Sequence, residues 1–154
     1  MSRGSGVGRR ALPPVYLLGA ASVMGLLHRF LPGPRIVRWP FRLCGLPFLA
    51  AGLGLVLWSA GLFRRAGTTI RPFQESTALV VEGPYRFSRN PIYCGMVAGL
   101  IGIAVLLGSA SPFAVIPLFV AVIGGRFIRA EEEALEKRFG DVYRDYARRV
   151  GRWL

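Results

Sequence analysis

Charged residues fall in clusters along this chain, and the uncharged runs between them define its elements. Residues 11–27 hold no charge, and the run extends through His28-Arg29-Phe30 to Pro32. Pro13-Pro14 suits a helix start, because a missing N–H costs nothing in the first turn. Residues 43–63 are uncharged again. At about 1.5 Å per residue a helix there crosses a bilayer core of about 30 Å. Gly45, Ala50, Ala51, Gly52, Gly54, Ala60 and Gly61 give it small positions for close helix contact. A third run, 90–125, is too long for one crossing, and Gly108-Ser109-Ala110-Ser111-Pro112 interrupts it. The pattern predicts an all-α integral membrane bundle of about four transmembrane helices, near 11–31, 43–63, 91–108 and 112–127. The last two form a tight hairpin.

Past Arg126 the pattern turns amphipathic. Phe127, Ile128, Leu135, Phe139, Tyr143, Tyr146, Val150 and Trp153 recur mostly at three- and four-residue spacing. This predicts a C-terminal amphipathic cytoplasmic helix, with Gly140 ending one segment and Asp141 capping the next. The polar connection 64–89 includes Gly67-Thr68-Thr69, Pro72 and a short extended piece, Ala78–Val81. Residues 1–10 are Gly/Ser/Arg-rich and read as a disordered basic N-terminus, leaving 11–154 as a single domain. Arg9-Arg10 fits a twin-arginine signal poorly, since Ala-Leu-Pro-Pro follows and later spans argue for a retained anchor.

Composition supports a membrane reading. Of 154 residues, 53% are hydrophobic and 18% charged, against about 25% charged in soluble domains. The net charge of +12 comes from residues flanking apolar runs, which favours anionic lipid headgroups over nucleic acid as partner. No nucleic-acid motif is visible. Thirteen of the 20 basic residues lie in 64–89 (five) and in the stretch after residue 125 (eight). The side carrying both is therefore expected to be cytoplasmic, in the inner membrane. The four basic residues between the first two uncharged runs, Arg29, Arg35, Arg38 and Arg42, then face outward, against the same rule. Cys44, Cys94 and the single histidine, His28, imply neither a disulfide framework nor a metal site.

Two stretches carry candidate chemistry. In Glu82–Gly95, Asn90-Pro91 reads as an N-cap followed by a first helical residue. Arg86 and Arg89 then sit at the positive end of a helix, an arrangement that suits a carboxylate or phosphate, or serves as interfacial anchoring. The second stretch is Glu131-Glu132-Glu133. Taking Leu135 as reference, Ile128 lies about 20° and Phe139 about 40° away, with Glu131 about 40° to one side and Glu132 about 60° to the other. Glu133 points roughly opposite. Glu131 and Glu132 thus flank the apolar stripe, where a buried carboxylate needs a partner: Arg86, Arg89, Arg129, or the hydroxyls of a sugar. A salt bridge in solvent or at headgroup level satisfies the same pattern.

Gly83-Pro84-Tyr85-Arg86, Arg89-Asn90-Pro91-Ile92-Tyr93 with Gly95, then Glu131-Glu132, Leu135, Phe139-Gly140, Tyr143, Tyr146 and Arg152-Trp153 resemble the isoprenylcysteine carboxyl methyltransferase and phospholipid methyltransferase family of membrane enzymes. The likeness covers 67–154. The family often carries His at the middle of Arg-x-Pro, where this chain has Asn90. The resemblance implies S-adenosylmethionine as methyl donor. It implies a donor site drawing on Arg89, Asn90, Tyr93, Gly95, Glu131, Glu132, Tyr143 and Tyr146, with Arg89, Asn90 and Tyr93 nearest the chemistry. Tyr143 and Tyr146 serve equally well as interfacial belt residues. A carboxylate acceptor needs only positioning and partial desolvation, whereas an amine must first lose a proton. The motif region has no histidine, and both glutamates are assigned to the donor. The expected activity is therefore O-methylation of a lipidic or prenylated carboxylate. N-methylation of a phospholipid amine and a non-catalytic lipid-binding or packing module are the alternatives. A related fold occurs in nicotinamide-dependent sterol reductases, whose extra spans this short chain lacks.

Overall fold

The computed structural model describes residues 12–67 and 78–154. The basic stretch 1–10 and residues 68–77 of the polar connection, Thr68, Thr69 and Pro72 included, lie outside the described residues.

Among the described residues six α-helices follow in order: α1 (Pro13–Phe30), α2 (Gly45–Arg65), α3 (Pro91–Leu107), α4 (Val115–Ile123), α5 (Arg129–Phe139) and α6 (Asp141–Arg149). No β-strand occurs among the described residues, only an isolated bridge between Arg35 and Ser109. A 3₁₀ turn, Phe41–Cys44, leads straight into α2. Another, Ser111–Ala114, leads into α4. Two continuous helices are long and apolar enough to cross a membrane: Phe41–Arg65, of 25 residues, and Ser111–Phe139, of 29. Apolar α3 is shorter, at 17 residues, and α1 has 18.

The second long helix runs on past 127, the expected end of the fourth span, into the amphipathic segment. A π-helical turn, Gly124–Ile128, joins α4 to α5 without a break. Gly124-Gly125 offers no side chain to crowd a widened turn. The neighbours Phe127 and Ile128 are both buried there, at 1% and 0% exposure. The apolar part of this helix ends at Gly125, and the glutamates lie beyond it.

Helix α2 runs antiparallel to α3 through glycines. A Cβ on Gly95 would lie 2.7 Å from the Gly52 carbonyl oxygen, and one on Gly102 would lie 2.7 Å from that of Gly45. Only hydrogen at these positions lets the backbones approach so closely. Helix α1 lies antiparallel to the Ser111–Phe139 helix. Tyr16 meets Phe127 edge-on at 5.2 Å, while His28 Nδ1 and Ser109 Oγ are 2.7 Å apart at the other end. Met24, Met96, Leu100, Phe119 and Ile123 fill the space between α1, α3 and α4. The expected hairpin forms at Gly108, which takes φ +75°, a conformation open to glycine and costly for side-chain-bearing residues.

Gly140 ends α5 as expected, with φ +52°. Asp141 does not cap α6. Gly140 occupies the cap position with no side-chain bond, and Asp141 Oδ1 instead accepts from Arg144, at 2.6 Å to Nη2. A neighbouring guanidinium outcompetes the helix N–H groups for that exposed carboxylate.

Candidate active site at the start of α3

The antiparallel packing brings the C-terminal end of α2, the Gly83–Arg86 turn, the start of α3 and helices α5 and α6 to one end of the bundle. Phe63 meets Tyr85 edge-on at 5.5 Å, and Tyr146 Oη donates to the Tyr85 carbonyl at 2.7 Å. The chain leaving α6 then returns to α3. Arg89 N–H donates to the Gly151 carbonyl at 2.9 Å. Asn90 Nδ2 donates to the Arg152 carbonyl at 2.9 Å, and Cys94 Sγ to that of Trp153 at 3.1 Å.

Asn90 therefore differs from its expected role. Pro91 does sit at the first position of α3, but the Asn90 side chain makes no capping bond. Its amide is spent on the Arg152 carbonyl, and its own N–H donates to Ser88 Oγ at 3.0 Å. Asn90 ties the last segment to the motif.

Two polar groups form beside it. In the first, Tyr93 Oη donates to Glu131 Oε1 at 2.7 Å. In the second, Arg89 Nη1 lies 3.2 Å from Glu132 Oε1, with both side chains mostly buried. The same Nη1 donates to Tyr143 Oη at 3.3 Å. Arg152 closes on Glu132 from the opposite side, Nε to Oε1 at 3.1 Å and Nη2 to Oε2 at 2.5 Å. Arg89 Nε is buried with no hydrogen-bond partner among the described residues. Glu133 is exposed, as its helix phase predicts.

Burial sets the electrostatics. It pushes the Glu131 carboxyl up to about 7; the Tyr93 hydrogen bond pulls it down and the charge of Glu132 raises it further. Burial likewise raises Tyr85, helped by Tyr146 and Glu131. It raises Tyr146 to about 12, with Tyr143 adding to the effect. It raises Tyr143 too, against the lowering influence of Arg89. A carboxyl near neutrality can hold or accept a proton at physiological pH.

Of the residues singled out from sequence, Arg89, Glu132 and Tyr143 meet directly, and so do Tyr93 and Glu131. Tyr146 braces Tyr85. Gly95 lies in the α2–α3 contact, where its missing side chain serves helix packing. Sequence reasoning did not assign Tyr85 or Arg152 to the site. Both stand within the quoted motifs, but neither follows a helical spacing that would pair it with Glu131 or Glu132. Among the described residues, no three His, Cys, Asp or Glu side chains gather as metal ligands.

Comparison with known proteins finds relatives over part of the chain. The chain is 34% identical over 77 residues to the nickel-cobalt-cadmium resistance protein NccN of Alcaligenes xylosoxydans xylosoxydans, covering 50% of this chain and 36% of that protein. It is 32% identical over 77 residues to the cobalt-zinc-cadmium resistance protein CzcN of Cupriavidus metallidurans, covering 50% and 35%. It is 35% identical over 63 residues to an uncharacterized protein of Haemophilus influenzae, covering 41% of this chain and all of that one. The chain thus spans only about a third of the length of each of the two metal-resistance proteins. The family model for phospholipid methyltransferases matches residues 41–142, from the 3₁₀ turn that leads into α2 to the start of α6. The protein belongs to the phospholipid methyltransferase family.

Proposed function

We propose that this protein is a membrane methyltransferase that uses S-adenosylmethionine to methylate a lipidic acceptor. The observation that carries the reading is the junction of Arg89, Glu132 and Tyr143 with Tyr93 and Glu131, at one end of an apolar bundle. In this reading α1, α2, α3 and α4 each cross the membrane and the junction lies at its surface; the two helices long and apolar enough to cross support it. The arginine distribution favours the cytoplasmic one.

The residues fit the donor. Arg89 has a buried, unpartnered Nε at the helix start, and such a donor suits the carboxylate of an amino-acid group. The faces of Tyr143 and Tyr93 suit a sulfonium or an adenine ring. When bound, S-adenosylmethionine supplies an electrophilic methyl group. The chain's own contribution is to orient the reactants, exclude water and manage a proton at Glu131.

That last contribution favours a second reading of the acceptor. The lack of histidine in the motif points to a carboxylate. Glu131, however, carries a carboxyl near neutrality, already hydrogen-bonded to Tyr93. An acceptor amine can pass its proton to Glu131 Oε2 and so expose its lone pair. N-methylation of a lipid amine is supported by this geometry, and O-methylation of a lipidic carboxylate by the motif chemistry. The metal named for two relatives enters neither reading.

The experiment is methyl transfer from radiolabelled donor into a total lipid extract by the purified protein, followed by treatment with base. A methyl ester releases its label as volatile methanol, whereas an N-methyl group keeps it. No incorporation, together with no stabilisation of the protein by S-adenosylhomocysteine, would sink the enzyme reading in favour of a non-catalytic module. Stabilisation by NADPH alone would assign a different chemistry.

A further inference from the structure

We infer that Arg152 is a positioning residue that keeps Arg89 available to an anionic oxygen group, so that Arg89, Glu132 and Arg152 form an anion subsite. The inference rests on the methyl-transfer reading above and deepens it. Glu132 has two oxygens, and Arg152 engages both in a fork, Nε to Oε1 and Nη2 to Oε2. Arg89 is left with a single-point contact, Nη1 to Oε1 at 3.2 Å. Its Nε consequently remains buried without a partner. Guanidinium and carboxylate prefer to meet through two parallel bonds. Without Arg152, Arg89 is free to close its own fork on Glu132 and use up that Nε. The charge count points the same way. Two guanidiniums and one carboxylate sum to +1 with Arg152 present and to zero without it.

Arg152 is 42% exposed on its side chain, so its own burial adds little. Its backbone carbonyl is fixed independently by Asn90 Nδ2. The segment is therefore held even when the guanidinium is removed, and the side chain is left to act on Glu132.

Two sources share the required chemistry: the carboxylate at the amino-acid end of the donor and the phosphodiester of a phospholipid acceptor. Titration calorimetry on the full chain in detergent separates them with three probes. S-adenosylhomocysteine carries the carboxylate, 5′-methylthioadenosine keeps the nucleoside without it, and dihexanoylphosphatidylcholine carries a phosphodiester. Loss of a charge-assisted hydrogen bond predicts roughly tenfold or greater weakening in Arg152→Gln. Weakening toward S-adenosylhomocysteine with 5′-methylthioadenosine unchanged supports the donor carboxylate. Weakening confined to the short-chain lipid supports the phosphodiester. In either case Arg152→Lys should recover part of the affinity by restoring charge without the fork. Unchanged affinity for all three probes in Arg152→Gln overturns the inference, as does equal weakening for 5′-methylthioadenosine, which marks a merely structural role. Wild-type protein that binds neither adenosyl compound nor the lipid rejects the methyl-transfer reading itself, a result distinct from failure of Arg152 alone.

Discussion

Tyr93 donates a 2.7 Å hydrogen bond to Glu131 across 38 residues of chain, joining the first turn of α3 to the first turn of α5. Its neighbour Glu132 faces two arginines. Adjacent carboxylates thus occupy different environments: burial pushes the Glu131 carboxyl up, while two guanidiniums face Glu132. This difference generates the contrasts expected among the glutamates.

Glu131 should make stability depend on pH. Its carboxyl is raised from 4.5 to about 7 in the folded protein. Between those values the native state binds more protons than the unfolded one, so this group's contribution falls as pH rises. The contribution is complete below pH 4.5 and is lost as pH rises through about 7. Its size is on the order of 3 kcal/mol, since each tenfold change in proton affinity corresponds to about 1.4 kcal/mol. Thermal unfolding in detergent at pH 5.5 and pH 8 measures it against Glu131→Gln. The variant should lose most of the pH dependence over that window; an unchanged slope would assign the effect elsewhere.

Glu132→Gln should destabilise more than Glu133→Gln. Removing the shared partner leaves Arg89 charged at 16% side-chain exposure, a change that costs about 3 kcal/mol where a buried pair is broken. Glu133 is exposed, and its loss should stay within about 0.5 kcal/mol. Melting temperatures of the two variants, each checked for monodispersity, give the comparison. Equal shifts would make the acidic run a solvated face.

The α2–α3 contact should reject side chains at Gly95 and accept one at Gly54. In Gly95→Val even the first added carbon would meet the Gly52 carbonyl and the Val56 side chain, both 2.7 Å away. Overpacking of this kind costs about 1–3 kcal/mol. No atom lies within 4 Å of a Cβ on Gly54, so Gly54→Ala should be neutral or stabilise by about 0.5–1 kcal/mol. The ordering of apparent melting temperatures decides it.

Topology follows from which residues share an end of the bundle. Arg38 lies on the α1–α2 connection and Asp145 on α6, both exposed. Single cysteines at these positions, with Cys44 and Cys94 replaced, should label from opposite sides of the membrane, Asp145→Cys from the cytoplasmic side. Labelling of both from one side would contradict an odd number of crossings between them.

Much of this architecture was legible in the chain itself. The uncharged runs coincide with apolar helices, two of them long and apolar enough to cross a membrane, because burying charge in hydrocarbon is costly, and Gly108 marks the hairpin because few other residues accept its backbone conformation. Helix phase alone distinguishes Glu131 and Glu132 from Glu133, since the 100° step per residue is a local property. Tertiary structure decided the pairings. Whether Tyr93 meets Glu131 depends on how the Ser111–Phe139 helix lies beside α3, and whether Asn90 caps its own helix or instead holds the Arg152 carbonyl depends on where the segment after α6 returns. No local period encodes either. The same holds for Arg152: twenty residues separate it from Glu132, and only the folded chain brings its guanidinium to that carboxylate.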